Sequence, residues 1–219
     1  MNDGLVQTLS LALIFTSLAT VEMRKLFSAT VAYVVQALLI VCLLLSFAMS
    51  NPALYWWAGT AFLTKVVLTP IFFFWAIYKT ENREFKPLIG FGPSVGIAIV
   101  LMIGFYRFIH QHAELLTTSK LAEQAVFQTN LAVAATVFVL GLYCVLTRRD
   151  AIKTVLGLCL LENGVHLSLV SLAPNLPETA LFGIATEVVV TVFLLLYVIV
   201  GVRDKFGTTD TYQLKELRG

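Results

Sequence analysis

The sequence predicts an all-α, polytopic integral membrane protein with seven transmembrane helices, its N-terminus outside and its C-terminus cytoplasmic. Three observations carry that expectation. Of 219 residues, 58% are hydrophobic and only 13% charged, and mean hydropathy is +0.87. A soluble chain this apolar could not cover its surface with polar groups, so its solvent is a bilayer. The charges fall between long apolar runs, and the basic residues fall on alternate connections.

Taken in order, the apolar runs predict spans at about 4–22, 27–49, 53–78, 88–109, 126–147, 151–173 and 178–202, each long enough for a hydrocarbon core of about 30 Å. Turn-formers stand where spans should end: Asn51-Pro52, Pro87, and the run Ala173 to Pro177. The first run does not read as a cleaved signal peptide, because MNDG holds no basic residue while Arg24 and Lys25 follow the apolar stretch. The connection from His110 to Ala125 (HQHAELLTTSKLAEQA) is the one long polar link on the predicted outer side, and its composition suits an interfacial helix. His110 and His112 read as solvated loop residues, since no third ligand stands at metal-binding spacing.

Connections after the odd-numbered spans hold twelve of the fifteen basic residues, among them Arg24, Lys25, Arg148, Arg149 and Lys153. The positive-inside rule places that side in the cytoplasm. The net charge of +2 forms no patch for nucleic acid, and Cys42, Cys144 and Cys159 lie singly inside apolar runs, as packing residues do. There is no Gly-rich phosphate loop and no Ser/His/Asp constellation. Chemistry beyond the movement of ions or protons has no residues to carry it.

Three charges stand deep in the runs: Lys65, Glu162 and Glu187. Each costs about 2.5–3.5 kcal/mol at the bilayer centre on an insertion scale, so each implies a function or a partner. Lys65 lies about 20 Å from either end of its span, at 1.5 Å per residue, beyond the reach of a snorkelling side chain. Pro70, five residues on, leaves the carbonyl of Val66 without a helix donor and should bend the helix beside the lysine. Glu162 is followed by Asn163 and, one turn away on the same face, by His166; a carboxylate and an imidazole so spaced can share a proton or a water. His166 could equally be a satisfied packing histidine. All three charges are predicted near one depth, which favours transfer along the membrane plane over transfer straight across it.

Aligning TKVVLT (Thr64 to Thr69) with TEVVVT (Thr186 to Thr191) suggests an internal repeat, with Gln36 and Glu162 as the polar residues of the preceding helices. The chain then divides into an N-terminal three-helix membrane unit at 1–87, a fourth helix with an outer connecting segment at 88–125, and a second three-helix unit with a short cytoplasmic tail at 126–219. Duplicated units are common in membrane transport proteins.

The stretch RRDAIKTVLGLCLLENGVHLSLV (Arg148 to Val170), followed by FGIATEVVVTVFLLLYVIV (Phe182 to Val200) and the closing QLKELRG, resembles the NuoK-type subunit of respiratory complex I. With four further helices in front and the phrase LLENG, the whole chain is similar to the component E family of hydrogenase-4 and related formate hydrogenlyase-type complexes. That resemblance implies a non-catalytic membrane subunit in the cytoplasmic (inner) membrane of a bacterium or archaeon. Such a subunit bridges antiporter-like subunits to a hydrogenase-type peripheral arm, and its buried charges join a proton or Na⁺ translocation path. No cofactor is expected in this chain; iron–sulfur clusters and nickel–iron would belong to partner subunits. Glu187 matches the third-helix glutamate of the NuoK-type pattern, and Asn163 its second-helix asparagine. Cys159 occupies the usual glutamate position, and the carboxylate stands instead at Glu162, about 4.5 Å further along the axis. Lys65, Glu162 and Glu187 are therefore the candidate proton path, with His166, Asn163 and Gln36 in support. Two other readings stay open: a purely structural scaffold whose charges form static pairs, and a stand-alone ion or solute carrier.

Overall fold

The computed structural model describes residues 3–49, 52–81, 88–112, 125–172 and 178–214. Among them every regular element is helical: α1 (Asp3–Glu22), α2 (Leu26–Ala48), α3 (Ala53–Ala61), a π-helical turn (Phe62–Leu68) leading into α4 (Thr69–Lys79), α5 (Phe91–Gln111), α6 (Ala125–Thr147), α7 (Ala151–Leu172), α8 (Glu178–Phe206) and the short α9 (Thr211–Leu214). Among the described residues six helical stretches are long and apolar enough to cross a membrane, the segment from Leu54 to Lys79 counting as one, and α1 adds a shorter apolar stretch, Thr8–Glu22. Residues 113–124 of the outer connection, and the predicted turn at 173–177, lie outside the described residues; His110 instead belongs to the last turn of α5.

Local chemistry places the ends of these helices. Pro52 precedes α3, and Gly90 with Pro93 opens α5, where a proline in the first turn removes only an N–H that has no helical partner. Asp150 caps α7, its Oδ1 accepting the Lys153 N–H at 3.0 Å. Gly207, at φ +74°, ends α8 in the left-handed conformation that glycine adopts without steric cost, and its N–H bonds back to Arg203 O at 2.8 Å.

The π-helical turn sits where Pro70 was expected to disturb the helix. Within it Thr69 N–H reaches back five residues to Thr64 O. Proline cannot supply the fourth-residue donor, and the wider register is one way for a continuous helix to absorb that loss. Lys65 lies inside this turn.

Helices α6 and α7 form the tightest pair. A side chain at Gly164 would meet Phe138 N at 2.6 Å and Ala134 O at 2.8 Å, and one at Gly141 would strike the Leu161 backbone. Small residues let two membrane helices come to backbone contact, the usual way to gain dispersion energy where apolar burial from water cannot drive association. By contrast α8 packs chiefly on α4, with lesser contact to α3 and α7, and α5 stands at the edge with only Ser94 and Ala98 buried.

The bundle holds two apolar clusters. One gathers Val21, Tyr33, Phe73, Tyr143, Leu156 and Leu196; the other gathers Leu13, Phe47, Trp57, Val137, Leu167 and Val170. Along four stretches the switch between clusters falls at a polar residue: Ser17 on α1, Gln36 on α2, Lys65 in the π-helical turn, and Glu162 to His166 on α7. The polar residues thus form a layer at mid-depth, sandwiched between two apolar ones.

Candidate functional site

Lys65 is the centre of that layer and is 3% exposed. Its side chain points into the protein, as the sequence predicts for a lysine too deep to snorkel. The ammonium donates to Asn163 Oδ1 at 2.7 Å and lies 2.6 Å from His166 Nδ1. It also makes an ion-pair contact with Glu162 Oε1 at 2.8 Å, although that oxygen has no hydrogen bond of good angular geometry. Three acceptors around one nitrogen match the three N–H donors of an ammonium. The counter-charge of Lys65 is therefore within this chain.

The α7 helix brings its three residues to Lys65 by spacing alone. Glu162 and His166 are one turn apart, with His166 Nδ1 at 3.0 Å from Glu162 Oε1, and Asn163 projects beside them toward α2. With Lys65 donating to Nδ1, the neutral ring carries its proton on Nε2, and Nδ1 and Oε1 are two acceptors drawn together by one cation. Trp57 meets the His166 ring edge-on at 6.4 Å and helps to fix it. Imidazole and carboxylate at this distance can pass a proton between them without any large movement, with the ammonium group of Lys65 against both.

Behind Asn163 a hydrogen-bond chain crosses two more helices. Asn163 Nδ2 donates to Gln36 Oε1 at 3.1 Å, Gln36 Nε2 to Ser17 Oγ at 2.7 Å, and Ser17 Oγ to Leu13 O at 2.6 Å. Gln36 and Asn163 thus belong to the hydrogen-bonded layer around Lys65. Ser17 was missed by sequence reasoning, because a serine in a membrane helix ordinarily bonds its own backbone and gives no sign of a cross-helix partner. Tyr33 was missed too: fully buried, it lies beside Asn163 and Thr69.

On the other side the site opens. A cavity of about 400 Å³ between α7 and α8 is lined by Glu162, His166, Glu187 and Thr191 among aliphatic residues such as Val188 and Leu195. Glu187 is exposed and, unlike Lys65 and Glu162, belongs to no direct ion pair among the described residues. The three predicted charges are thus brought to one region, two of them in contact and the third across the cavity. Cys159 borders the same cavity but is 1% exposed, and Cys144 is buried as well, while Cys42 is exposed.

A second buried cluster lies at the end of the bundle where the basic residues gather. Arg148 pairs with Glu22 at 2.7 Å, and Ser94 Oγ donates to the same carboxylate oxygen at 2.8 Å. Lys153 donates to the carbonyls of Thr20 at 2.6 Å and Met23 at 2.7 Å, closing the C-terminal end of α1. Thr209 bonds Asp150 at 3.0 Å, Thr211 N–H bonds Arg149 O at 2.9 Å, and the Arg149 guanidinium lies 4.4 Å over the Tyr212 ring. Burial raises the Asp150 carboxyl above its ordinary value, against the hydrogen bonds from Lys153 and Thr209. The sequence marks Arg148, Arg149 and Lys153 only as topology signals; here they also pin α1, α5, α6, α7 and the segment after α8 together. Of the two outer histidines, His110 stacks on Tyr106 with ring centres 5.8 Å apart and His112 stands 5.0 Å from Phe108. No group of three potential ligands able to hold a metal occurs among the described residues.

Comparison with known proteins agrees with the motifs. Residues 129–219 match the family described as NADH-ubiquinone/plastoquinone oxidoreductase chain 4L. The NADH-quinone oxidoreductase subunit K of Deinococcus radiodurans is 34% identical over 93 residues, covering 41% of this chain and 90% of that protein. Hydrogenase-4 component E of Escherichia coli (strain K12) is 30% identical over 219 residues, 98% of each chain, and the Shigella flexneri protein of that name matches equally. No solved structure matches significantly. A likeness that runs nearly end to end through all the helices described above, with subunit K contained in its second half, means that the chain belongs to the hydrogenase-4 component E family.

Proposed function

We propose that this chain is a non-catalytic membrane subunit of a complex I-like, hydrogenase-4-type redox complex, where it bridges antiporter-like subunits and carries part of a proton path, or a Na⁺ path, in Lys65, Glu162 and Glu187. One observation supports this most: a buried lysine, a histidine and a carboxylate in mutual contact open onto a cavity that holds a second carboxylate. Protons entering the cavity would meet Glu187 and then Glu162 with His166. With the shorter apolar stretch Thr8–Glu22 of α1 counted as a seventh span, the positive-inside rule favours the basic end on the cytoplasmic side of an inner membrane. The hairpins α1–α2 and α6–α7, each followed by a helix bearing a mid-depth charge, fit two three-helix units at 1–87 and 126–219 joined through 88–125. Iron–sulfur and nickel–iron centres belong, in this reading, to partner subunits of the peripheral arm.

The test uses the intact complex in liposomes, with redox turnover and proton uptake measured together. Glu187→Gln should leave assembly and turnover in place and lower coupled proton movement at least about tenfold, as loss of a positioned proton carrier does. Undiminished pumping in that variant would end the conduction reading. A scaffold role has its own support, since Lys65 and Glu162 neutralise each other within the chain; it gains ground if pumping survives while neutralising Lys65 alone prevents assembly.

A further inference from the structure

The layer around Lys65 is lopsided. On the cavity side stand an open carboxylate and an imidazole; on the α1–α2 side stand amides, a hydroxyl and a backbone carbonyl, with the phenol of the fully buried Tyr33 beside them. We infer that the chain Ser17–Gln36–Asn163 is a polarised, proton-tight brace that holds Lys65 as an ammonium ion, so that protons reach and leave the site only from the α7–α8 cavity, through Glu162 and His166. This deepens the proton-path reading and rests on it for the direction of entry; the state of Lys65 does not depend on it.

The orientation of the chain follows from its two ends. An ammonium can only donate, so Asn163 must present its oxygen to Lys65, at 2.7 Å. Its NH₂ then faces Gln36, whose oxygen accepts, and whose own NH₂ faces Ser17. The Ser17 hydroxyl ends on the Leu13 carbonyl, which can only accept. Amide orientation, often ambiguous, is fixed here because turning either amide would set donor against donor at Lys65 or leave it facing the wrong end of its neighbour. Every dipole consequently turns its negative end toward Lys65. Aligned hydrogen bonds polarise one another, and in a low-dielectric interior their combined field favours the cation.

The same chain cannot conduct. Moving a proton from Lys65 along it would force Asn163 and Gln36 through imidic acid forms and end on a carbonyl with nowhere to pass the charge. The titratable groups that face the lysine are Glu162, His166 and Cys159 on α7, with Tyr33 on α2 and Glu187 on α8 beyond Glu162. Of these, Glu162, His166 and Glu187 line the open cavity, Cys159 borders it while only 1% exposed, and Tyr33 is fully buried. A proton arriving from the cavity forms an O–H bond at Glu162 and leaves by the same route, while Lys65 keeps its three N–H bonds throughout. Ser17, Gln36 and Asn163 are positioning residues, acting through the charge of Lys65.

The test reads that charge directly. The complex is prepared with ¹⁵N-lysine in lipid, and the Lys65 signal is identified by its loss in Lys65→Arg. Solid-state ¹⁵N spectra then distinguish ammonium from amine across the neutral to alkaline range. The native chain should show ammonium at neutral pH. Gln36→Leu, which removes the oxygen that orients Asn163, should bring the amine form in about one pH unit earlier, and Gln36→Glu should delay it, as expected for loss or gain of favourable charge nearby. Ser17→Ala, a deletion of one oxygen, should shift it in the direction of Gln36→Leu by less and keeps the test open if the larger change prevents assembly. Amine at neutral pH in the native chain, or identical titrations in Ser17→Ala and Gln36→Glu, would overturn the brace. Shifted titrations together with normal pumping in Glu162→Gln would uphold the brace and remove the conduction reading instead.

Discussion

At the basic end, Lys153 donates to two backbone carbonyls; at mid-depth, Lys65 contacts three side chains, two of which titrate. Both lysines are buried, and both sit in clusters that contain a carboxylate and tie several helices together. The difference lies in what each replaces. Helix ends leave carbonyls without partners, and a lysine there satisfies groups that any arrangement of α1 would expose. At mid-depth every backbone group can be satisfied within its own helix, so nothing about folding alone requires a charge. Polar clusters at helix ends are thus explained by the helices, while a polar layer between two apolar clusters calls for a role of its own.

That contrast can be broken or sharpened by three substitutions. The largest effect is expected for Lys65→Met, which strands Glu162 beside an apolar side chain. Removing one partner of a buried pair costs about 3–5 kcal/mol, whereas replacing both often costs little. Recovery of folded complex from membranes should therefore fall sharply in Lys65→Met and return in the double variant Lys65→Met/Glu162→Leu, without proton movement. Equal recovery in all three would show that the midplane pair is not coupled.

Lys153→Met should act more mildly, by about 1–3 kcal/mol for two stranded carbonyls. Thermal unfolding in detergent would register the loss. The pH profile of coupled proton uptake should not move, and a shift there would erase the distinction between the two clusters.

The smallest effect belongs to Asp150→Asn, which keeps an acceptor for the Lys153 N–H and removes a charge. Because burial raises the folded carboxyl of Asp150 above its ordinary value, the folded state holds its proton more tightly than the unfolded state. Stability from this group is then greatest below the ordinary value and falls as pH rises toward the raised one. Melting curves through that acidic window should slope downward with pH in the native chain and less so in Asp150→Asn. An unchanged slope would place the pH dependence elsewhere.

Much of this was legible in the residues. The apolar runs and their turn-formers predict the helices to within a few residues, because span length is set by the bilayer and helix ends by proline, glycine and capping side chains. Pro70 announces the disturbed turn at Lys65, and the spacing of Glu162 and His166 announces their contact, since both are relations within one helix. The chain from Ser17 through Gln36 to Asn163 was not legible as a connection, though two of its members were singled out. Nor was the burial of Lys153, which looks in sequence like one more positive-inside charge.

The sequence by itself therefore determined which segments become helices, which of their residues are too costly to face lipid, and which pairs along a single helix can meet. Only the tertiary structure decided that Glu162 answers Lys65 while Glu187 faces a cavity, and that one lysine serves helix ends and the other a titratable cluster. Periodicity within a helix is fixed by 3.6 residues per turn. The rotation and approach of one helix against another depend on packing, here on the glycines that bring α6 and α7 to backbone contact.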